Sequence, residues 1–387
     1  MPSVFLTDAP SKHTLAAARS LSREGIKVDV GSSSSHPLSS FSKHVNYAYI
    51  YPSMENPDRF IQSIKKLCSN KKYDVLMPIG LEATLLLAKE KQQFDQITTV
   101  PVADFDKVAL ASDKGKAIEL AEKVGVPTPR TISASKRDLA EVEGLHYPLV
   151  LKATTGSGLL FYVNNKKELL EKTQALEETS GCAPILQEYV KGEGYGFFAL
   201  YNHGEQRATF MHKRLREYPA TGGPSSFAES IYDAKLEEYG LRILDSLTWH
   251  GVAMVEFKKS DADNEFKLME INTKFWGSLD LAIAAGINFP FLLYKMATEG
   301  DVPRSRDYKV GLKFLWPFPQ DFLNSLSNPL CFGSFVKDLT DQRVKKNIEF
   351  NDPKPLAVQL AQTAMLSVRK LKTPSQLRYP QGKPIGV

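Results

Sequence analysis

The chain has 387 residues and a formal net charge of +5, with acids and bases mixed along its whole length. That length exceeds one ordinary core and predicts two or three domains, while the mild charge excess lacks the concentrated basic footprint of a nucleic-acid binder. Three cysteines, Cys68, Cys182 and Cys331, stand far apart without CxxC spacing, so neither a disulfide scaffold nor a zinc site is indicated and a reducing compartment fits best. The opening MPSVFLTDAP has no basic n-region and no later run reaches spanning length, so the expectation is a cytoplasmic protein with no nucleic-acid or membrane partner.

Val4 to Thr7 reads as a strand, Lys12 to Glu24 as a helix ending at Gly25, and Ile26 to Val30 as a second strand, a βαβ unit that starts a parallel sheet. Its first turn, Asp8 to His13, lacks the G-x-G-x-x-G of dinucleotide sites. Strand and helix continue to alternate through Tyr47 to Tyr51, Pro57 to Cys68, Tyr73 to Ile79 and Glu82 to Lys91. A helix is then predicted from Ser112 to Val126, with Ser112 or Asp113 as N-cap. Lys114 in its first turn opposes the helix dipole, at a cost typically under about 1 kcal/mol, which hints at an anionic partner.

Tyr147 to Ala153 is a buried-looking strand ending in Lys152, followed by the small-residue loop Thr154-Thr-Gly-Ser-Gly158. A lysine ending an apolar strand is costly unless paired, and the backbone N–H groups of Thr154, Gly156, Ser157 and Gly158 can close over phosphates as a lid. The plain alternative is a β-turn beside a snorkelling lysine. After a helix from Lys166 to Glu178 comes the strand APILQEYV, which carries Gln187, Glu188, Tyr189 and Val190, then the turn Lys191-Gly-Glu-Gly194 and a strand from Tyr195 to Tyr201.

His212-Lys-Arg-Leu-Arg216 leaves a strand and enters a Gly-Gly loop running to Ser226. Alternation puts Lys213 with Leu215 and Arg214 with Arg216, so one pair alone can face a site. Arg214 and Arg216 are favoured, since a guanidinium fork fits a carboxylate.

Val252 to Phe257 and Phe266 to Ile271 flank a turn-forming segment, the pattern of an antiparallel hairpin. Alternation places Leu268, Glu270 and Asn272 on one face, and Glu256 with Met254 on the neighbouring strand. Two carboxylates and an amide then converge, which suits a hard cation that takes its other ligands from water and phosphate; a solvated rim is the plain alternative. Beyond about residue 301 come aromatics at Phe314 to Pro319, a strand-like segment near Asn347 to Phe350, and an amphipathic helix from Leu356 to Lys370. This part either covers the substrate site or forms an oligomer surface, such as that of a homodimer.

The run Met269-Glu-Ile-Asn-Thr-Lys-Phe-Trp-Gly-Ser278, with Glu256 before it, resembles the metal-binding end of ATP-grasp proteins, in the single-chain branch like carbamoyl-phosphate synthase. Thr273 stands where that family usually has Pro, and Lys274 where it has Arg. The resemblance spans roughly Ser112 to Phe289 and keeps four motifs in order. It implies an α/β (α+β) fold with a Rossmann-like pre-ATP-grasp domain over 1–110, an ATP-grasp domain over 111–300 whose lid covers about 128–190, and an extension over 301–387. It also implies that Lys114 and Lys152 contact ATP phosphates and that Gln187 to Val190 form the hinge, with backbone at Glu188 and Val190 reading adenine. Glu193 would hold the ribose, and Glu256, Glu270 and Asn272 would hold Mg²⁺, or Mn²⁺ in its place. Arg214, Arg216 and Lys274 would handle the substrate anion. The activity implied is an ATP-dependent carboxylate-amine or carboxylate-thiol ligase acting on small molecules through an acylphosphate, with release of ADP and phosphate. Carboxylation through carboxyphosphate is the rival within the family, and a catalytically silent nucleotide-binding protein is the rival outside it.

Overall fold

The computed structural model describes residues 1–134, 146–156, 160–219 and 222–371. The first sheet is parallel, built from β1 (Ser3–Leu6), β2 (Lys27–Ser32), β3 (Tyr47–Ile50) and β4 (Val75–Met77) in the order β3-β2-β1-β4. Between β1 and β2 runs α1 (Lys12–Arg23), whose Leu15, Ala16, Ala17, Ala18 and Leu21 are buried. Gly25, at φ 78, supplies the left-handed turn that stops it. Helices α2 (Pro57–Lys71) and α3 (Leu81–Lys89) complete the alternation read from the sequence.

The helix expected from Ser112 to Val126 is α5 (Lys114–Lys123), and a further helix, α4 (Phe105–Ser112), precedes it. Asp113 separates them with extended backbone, and its carboxylate accepts from Lys116 N at 3.0 Å, so it is the cap. Ser112 cannot be, because its hydroxyl bonds back to Val108 O at 2.6 Å.

A second sheet has the order β5-β8-β6-β7, from β5 (Thr131–Ser133), β6 (Leu149–Lys152), β7 (Leu160–Val163) and β8 (Ile185–Glu188), with α6 (Lys166–Ser180) crossing between β7 and β8. The third and largest sheet takes β9 (Gly192–Asn202), β10 (Glu205–Glu217), β11 (Ser225–Ser230), β12 (Gly251–Ser260), β13 (Phe266–Asn272), β14 (Lys313–Leu315) and β15 (Lys345–Lys346). Their order is β13-β12-β9-β10-β11-β14-β15. A parallel sheet and two further sheets with their helices make an α/β (α+β) architecture.

Strand alternation divides the core between the two faces of the large sheet. Phe197, Ala199, Tyr201, Val255 and Phe257 pack with α7 (Ala234–Ser246) and the α5 region, whereas Phe198, Leu200, Phe210 and Met254 pack with α1, α8 (Leu279–Ala285) and α9 (Phe289–Glu299). Residues after 301 are woven into this body. β14 pairs with β11, and buried Arg19 of α1 binds Asp352 at 2.9 Å, ahead of α12 (Pro353–Leu371). Two short helices, α10 (Phe322–Ser327) and α11 (Phe332–Thr340), fill the interval.

Candidate active site

A cleft lies between the second sheet and the large one. Val150 and Lys152 of β6, Tyr162 of β7 and the segment Gln187 to Val190 form one wall; Arg214, Glu256, Lys258 and Glu270 form the other, and Lys114 reaches in from the start of α5. Three of the four motifs read from the sequence as separate stretches thus share one space with the acidic hairpin.

Along β12 and β13 the register sets Glu256 opposite Glu270 and Met254 opposite Asn272. Asn272 Nδ2 donates to Glu256 Oε1 and to Glu270 Oε1, both at 3.1 Å, so one amide bridges both acids. Burial raises the Glu256 carboxyl above its usual range in spite of Arg214, whose Nη2 lies 2.5 Å from Oε2. Burial also works to raise Glu270, but Lys114, Asn272, Lys152 and Lys274 outweigh it and leave that carboxyl below its usual range. Two half-buried acids held side by side gain from a cation between them. The donor set suits a hard divalent ion: two carboxylates and an amide, which presents Oδ1 once turned end for end.

The alternation expected for this hairpin is broken. Phe257 pairs with Leu268 while Glu256 pairs with Glu270, so Met269 is an extra residue in β13. Leu268 and Ile271 both enter the core, and Met269 joins Glu270 in the cleft, where strict alternation would have set Leu268 beside Glu270. The bulge sets Met269 beside Glu270 in the cleft while Leu268 stays in the core.

Lys152 Nζ donates to Gln187 Oε1 at 2.7 Å, and Gln187 Nε2 donates to Thr131 Oγ1 at 3.0 Å. Burial pulls this lysine down to about 8, and neighbouring Lys114 and Lys258 add to the effect. Lys114 Nζ bonds Gly156 O at 3.0 Å and lies 3.7 Å from Glu270 Oε2; its backbone N–H donates to Thr154 O at 2.8 Å. The start of the small-residue loop is therefore tied to α5. Ser157 and Gly158, the other two loop residues named from the sequence, lie outside the described residues, as do Thr221 and the tail after Leu371.

In the hinge segment, Glu188 N donates to Arg130 O at 3.0 Å, the Tyr189 ring meets Tyr162 edge-on at 5.7 Å, and Val190 O accepts from Lys258 Nζ at 3.2 Å. Glu193 departs from its expected role. It points to the other side of β9, onto Lys213 Nζ at 2.7 Å and Tyr195 OH at 3.3 Å, and its neighbour Gly194 lines the cleft instead.

Arg214 and Arg216 also part company. A bulge at Leu215 breaks the pairing of β10 with β11, so Arg214 faces Glu256 and Arg216 turns to the C-terminal region. There Arg216 grips buried Asp321 through Nε at 3.0 Å and Nη2 at 2.9 Å, reaches Asp338 at 2.6 Å, and stacks on Phe227. Both its forks are occupied away from the cleft, which corrects the expectation that it binds substrate.

The family model described as "ATP-grasp in the biosynthetic pathway with Ter operon" matches residues 180–316, the stretch that contains the hinge and the acidic hairpin. Over that stretch the chain is similar to ATP-grasp ligases. Among its relatives, a carbamoyl-phosphate synthase of Methanobrevibacter smithii is 25% identical over 256 residues, 62% of this chain and 68% of that protein. A D-aspartate ligase of Enterococcus faecium is 22% identical over 290 residues, 68% of each. The structure of N5-carboxyaminoimidazole synthetase from Staphylococcus aureus complexed with ADP overlays with a TM-score of 0.64 at 18% identity, covering 85% of each chain.

Three further groups at this site were not singled out from the sequence. Lys258 shares a face of β12 with Glu256, so the two-residue period held the signal. Lys12 and His13, at the start of α1, lie near Asp280 of α8 and Lys274, which follows β13. Burial draws Lys12 down to about 8 against the pull of Asp280, and burial with Lys274 and Lys12 draws His13 down to about 3. Lys12 Nζ is 3.5 Å from Ser225 O and 4.8 Å from the Trp316 ring. Only the packing of α1 against the large sheet brings them there, and no local pattern encodes it.

Proposed function

We propose that this protein is an ATP-dependent carboxylate-amine ligase that activates a small carboxylic acid as an acylphosphate and releases ADP and phosphate. The observation that carries the reading is the meeting of Glu256, Glu270 and Asn272 with Lys114, Lys152 and Arg214 in one cleft. A carboxylate and a triphosphate repel each other, so bringing them together is largely a problem of neutralising and positioning charge.

ATP lies along the cleft in this proposal, with its base against Tyr189 and Met269 and its adenine edge read by the backbone at Glu188 and Val190. Lys114 and Lys152 hold the phosphates, and backbone N–H groups at Thr154 and Gly156 close over them. Glu256, Glu270 and Asn272 hold Mg²⁺, or Mn²⁺, which supplies charge neutralisation at the transferring phosphoryl group. Arg214 and Lys274 draw the substrate carboxylate toward the γ-phosphate. A carboxylate oxygen forms a bond to the γ-phosphorus while the bond to the β-phosphate oxygen breaks and ADP leaves. The lone pair of an amine then adds to the acyl carbon, the amine loses a proton, and inorganic phosphate departs. The division into a pre-ATP-grasp unit over 1–110, an ATP-grasp unit over 111–300 and an extension belongs to the same reading.

The test is an ADP-release screen over pairs of amino acids and peptides, with bicarbonate as a separate arm and products weighed by mass spectrometry. A condensed amide with stoichiometric ADP and phosphate is the expected result. AMP and pyrophosphate, or ADP release that depends on bicarbonate alone, would overturn it.

A further inference from the structure

Helix α12 faces the wrong way for a helix of a soluble core. Its buried positions are Pro355, Gln359 and Thr363, and the hydroxyl of Thr363 spends its bond on Gln359 O. Its outward face carries Leu360, Met365, Val368 and Leu371, which are 44%, 66%, 60% and 59% exposed, interleaved with exposed Ala357, Ala361 and Ala364. These seven positions follow the i, i+3, i+4 rule of a single helical stripe. Burying an amide and a hydroxyl while leaving such a stripe in water runs against both the hydrophobic term and the desolvation cost of polar groups. Something apolar is expected to cover the stripe.

We infer that α12 lies against an anionic lipid surface. Charge indicates the occupant. From Pro353 to the end of the sequence there are six cations, Lys354, Arg369, Lys370, Lys372, Arg378 and Lys383, and no acid. Lys370 is drawn inward to the Tyr218 hydroxyl at 2.6 Å, but Lys354 and Arg369 are exposed at the two ends of the stripe. Between Pro355 and Val368 there is no charge at all. An apolar stripe with cations at its ends suits acyl chains beneath anionic headgroups. A second copy of the chain suits it less well. It would set cations against cations, and a 19-residue helix about 28 Å long and about 10 Å wide offers far less than the roughly 800 Å² per partner of a standard interface. No single helix among the described residues is long and apolar enough to cross a membrane, so α12 would lie on the bilayer and not through it.

The test is flotation of the full chain with phosphatidylcholine vesicles and with vesicles that also contain phosphatidylglycerol, at low and high salt. The expected result is roughly tenfold more protein floating with the anionic vesicles at low salt. That excess should be lost at high salt, and lost in the double variant Met365→Ser with Val368→Ser. Both positions are exposed, so the variant keeps its fold, which an unchanged melting temperature verifies. A separate variant with Lys354 and Arg369 changed to Gln should lose the anionic preference alone. Absence of flotation at low salt, or equal flotation of wild type and double variant, would overturn the inference. So would a wild-type dimer in light scattering that the double variant turns into a monomer, since a second copy would then cover the stripe.

Discussion

Arg214 and Arg216 lie two residues apart on one strand, yet the first binds Glu256 at 2.5 Å in the cleft and the second binds Asp321 at 2.9 Å outside it. The bulge at Leu215 is the cause, and it assigns the two guanidinium groups different work.

Single alanine variants should separate these roles. Arg214→Ala should lower kcat or raise the KM of the acid by about 100-fold, about 2.7 kcal/mol. Arg216→Ala should leave both constants near wild type and cost about 3 kcal/mol of stability, because it leaves Asp321, 1% exposed, as a buried charge without its partner. Steady-state kinetics and thermal melts read the two effects; an acid KM that rises in the Arg216 variant with an unchanged melt would reverse the assignment.

Glu270→Gln should lower kcat by at least ~100-fold while the fold persists, since the shape is kept and one anionic ligand is lost. The melting temperature should fall modestly, because the ionised carboxylate is held by Lys114, Lys152 and Lys274, which the amide does not neutralise. Glu256→Gln should also reduce turnover but melt lower, as it leaves Arg214 without its closest acid. Near-normal turnover of Glu270→Gln at saturating Mg²⁺ would make the hairpin structural.

Lys152 gives a pH prediction whose sign follows from its depression to about 8. Below that pH the lysine is charged and can hold phosphate; above it the free enzyme loses the charge, so kcat/KM for ATP should fall as pH rises through about 8. Stability runs the opposite way. Between about 8 and the ordinary lysine value the unfolded chain binds the extra proton, so the cost of burying Lys152 is relieved as pH rises. Lys152→Met should therefore stabilise the nucleotide-free protein by about 1 to 3 kcal/mol at pH 7 and by little at pH 10.5, while weakening ATP binding throughout. Paired melts at the two pH values, with nucleotide titrations, measure this.

Lys258→Ala should raise the KM for ATP about tenfold and leave that of the acid unchanged, since Lys258 supports Val190 O and lies 5.3 Å from the centre of the Tyr189 ring. A change in the acid's KM alone would place Lys258 on the wrong substrate.

The parts of the fold that local pattern encodes were legible in the sequence. The βαβ start, the hairpin of β12 and β13, and the strand ending at Lys152 each follow from apolar period and a nearby turn. What could not be read were departures from period. The bulges at Leu215 and Met269 each insert one residue that flips every later side chain, and nothing in Arg214-Leu-Arg216 or Leu268-Met-Glu270 announces it. Glu193 was misread for a related reason: it and Gly194 are adjacent and point to opposite faces, so an error of one position exchanges cleft for solvent. Lys12 and His13 arrive at the site through tertiary packing, which no window of sequence contains.

The pairing of Arg19 with Asp352 spans 333 residues, and the guanidinium, 4% exposed, also takes the carbonyl of Asn347. During synthesis the first helix leaves the ribosome long before the acid that neutralises it. At about 5–20 residues per second that interval is tens of seconds, during which Arg19 must stay in water or be buried without its partner. Helix α1 therefore completes its packing only after Asp352 has been made, and that later segment acts as its clasp.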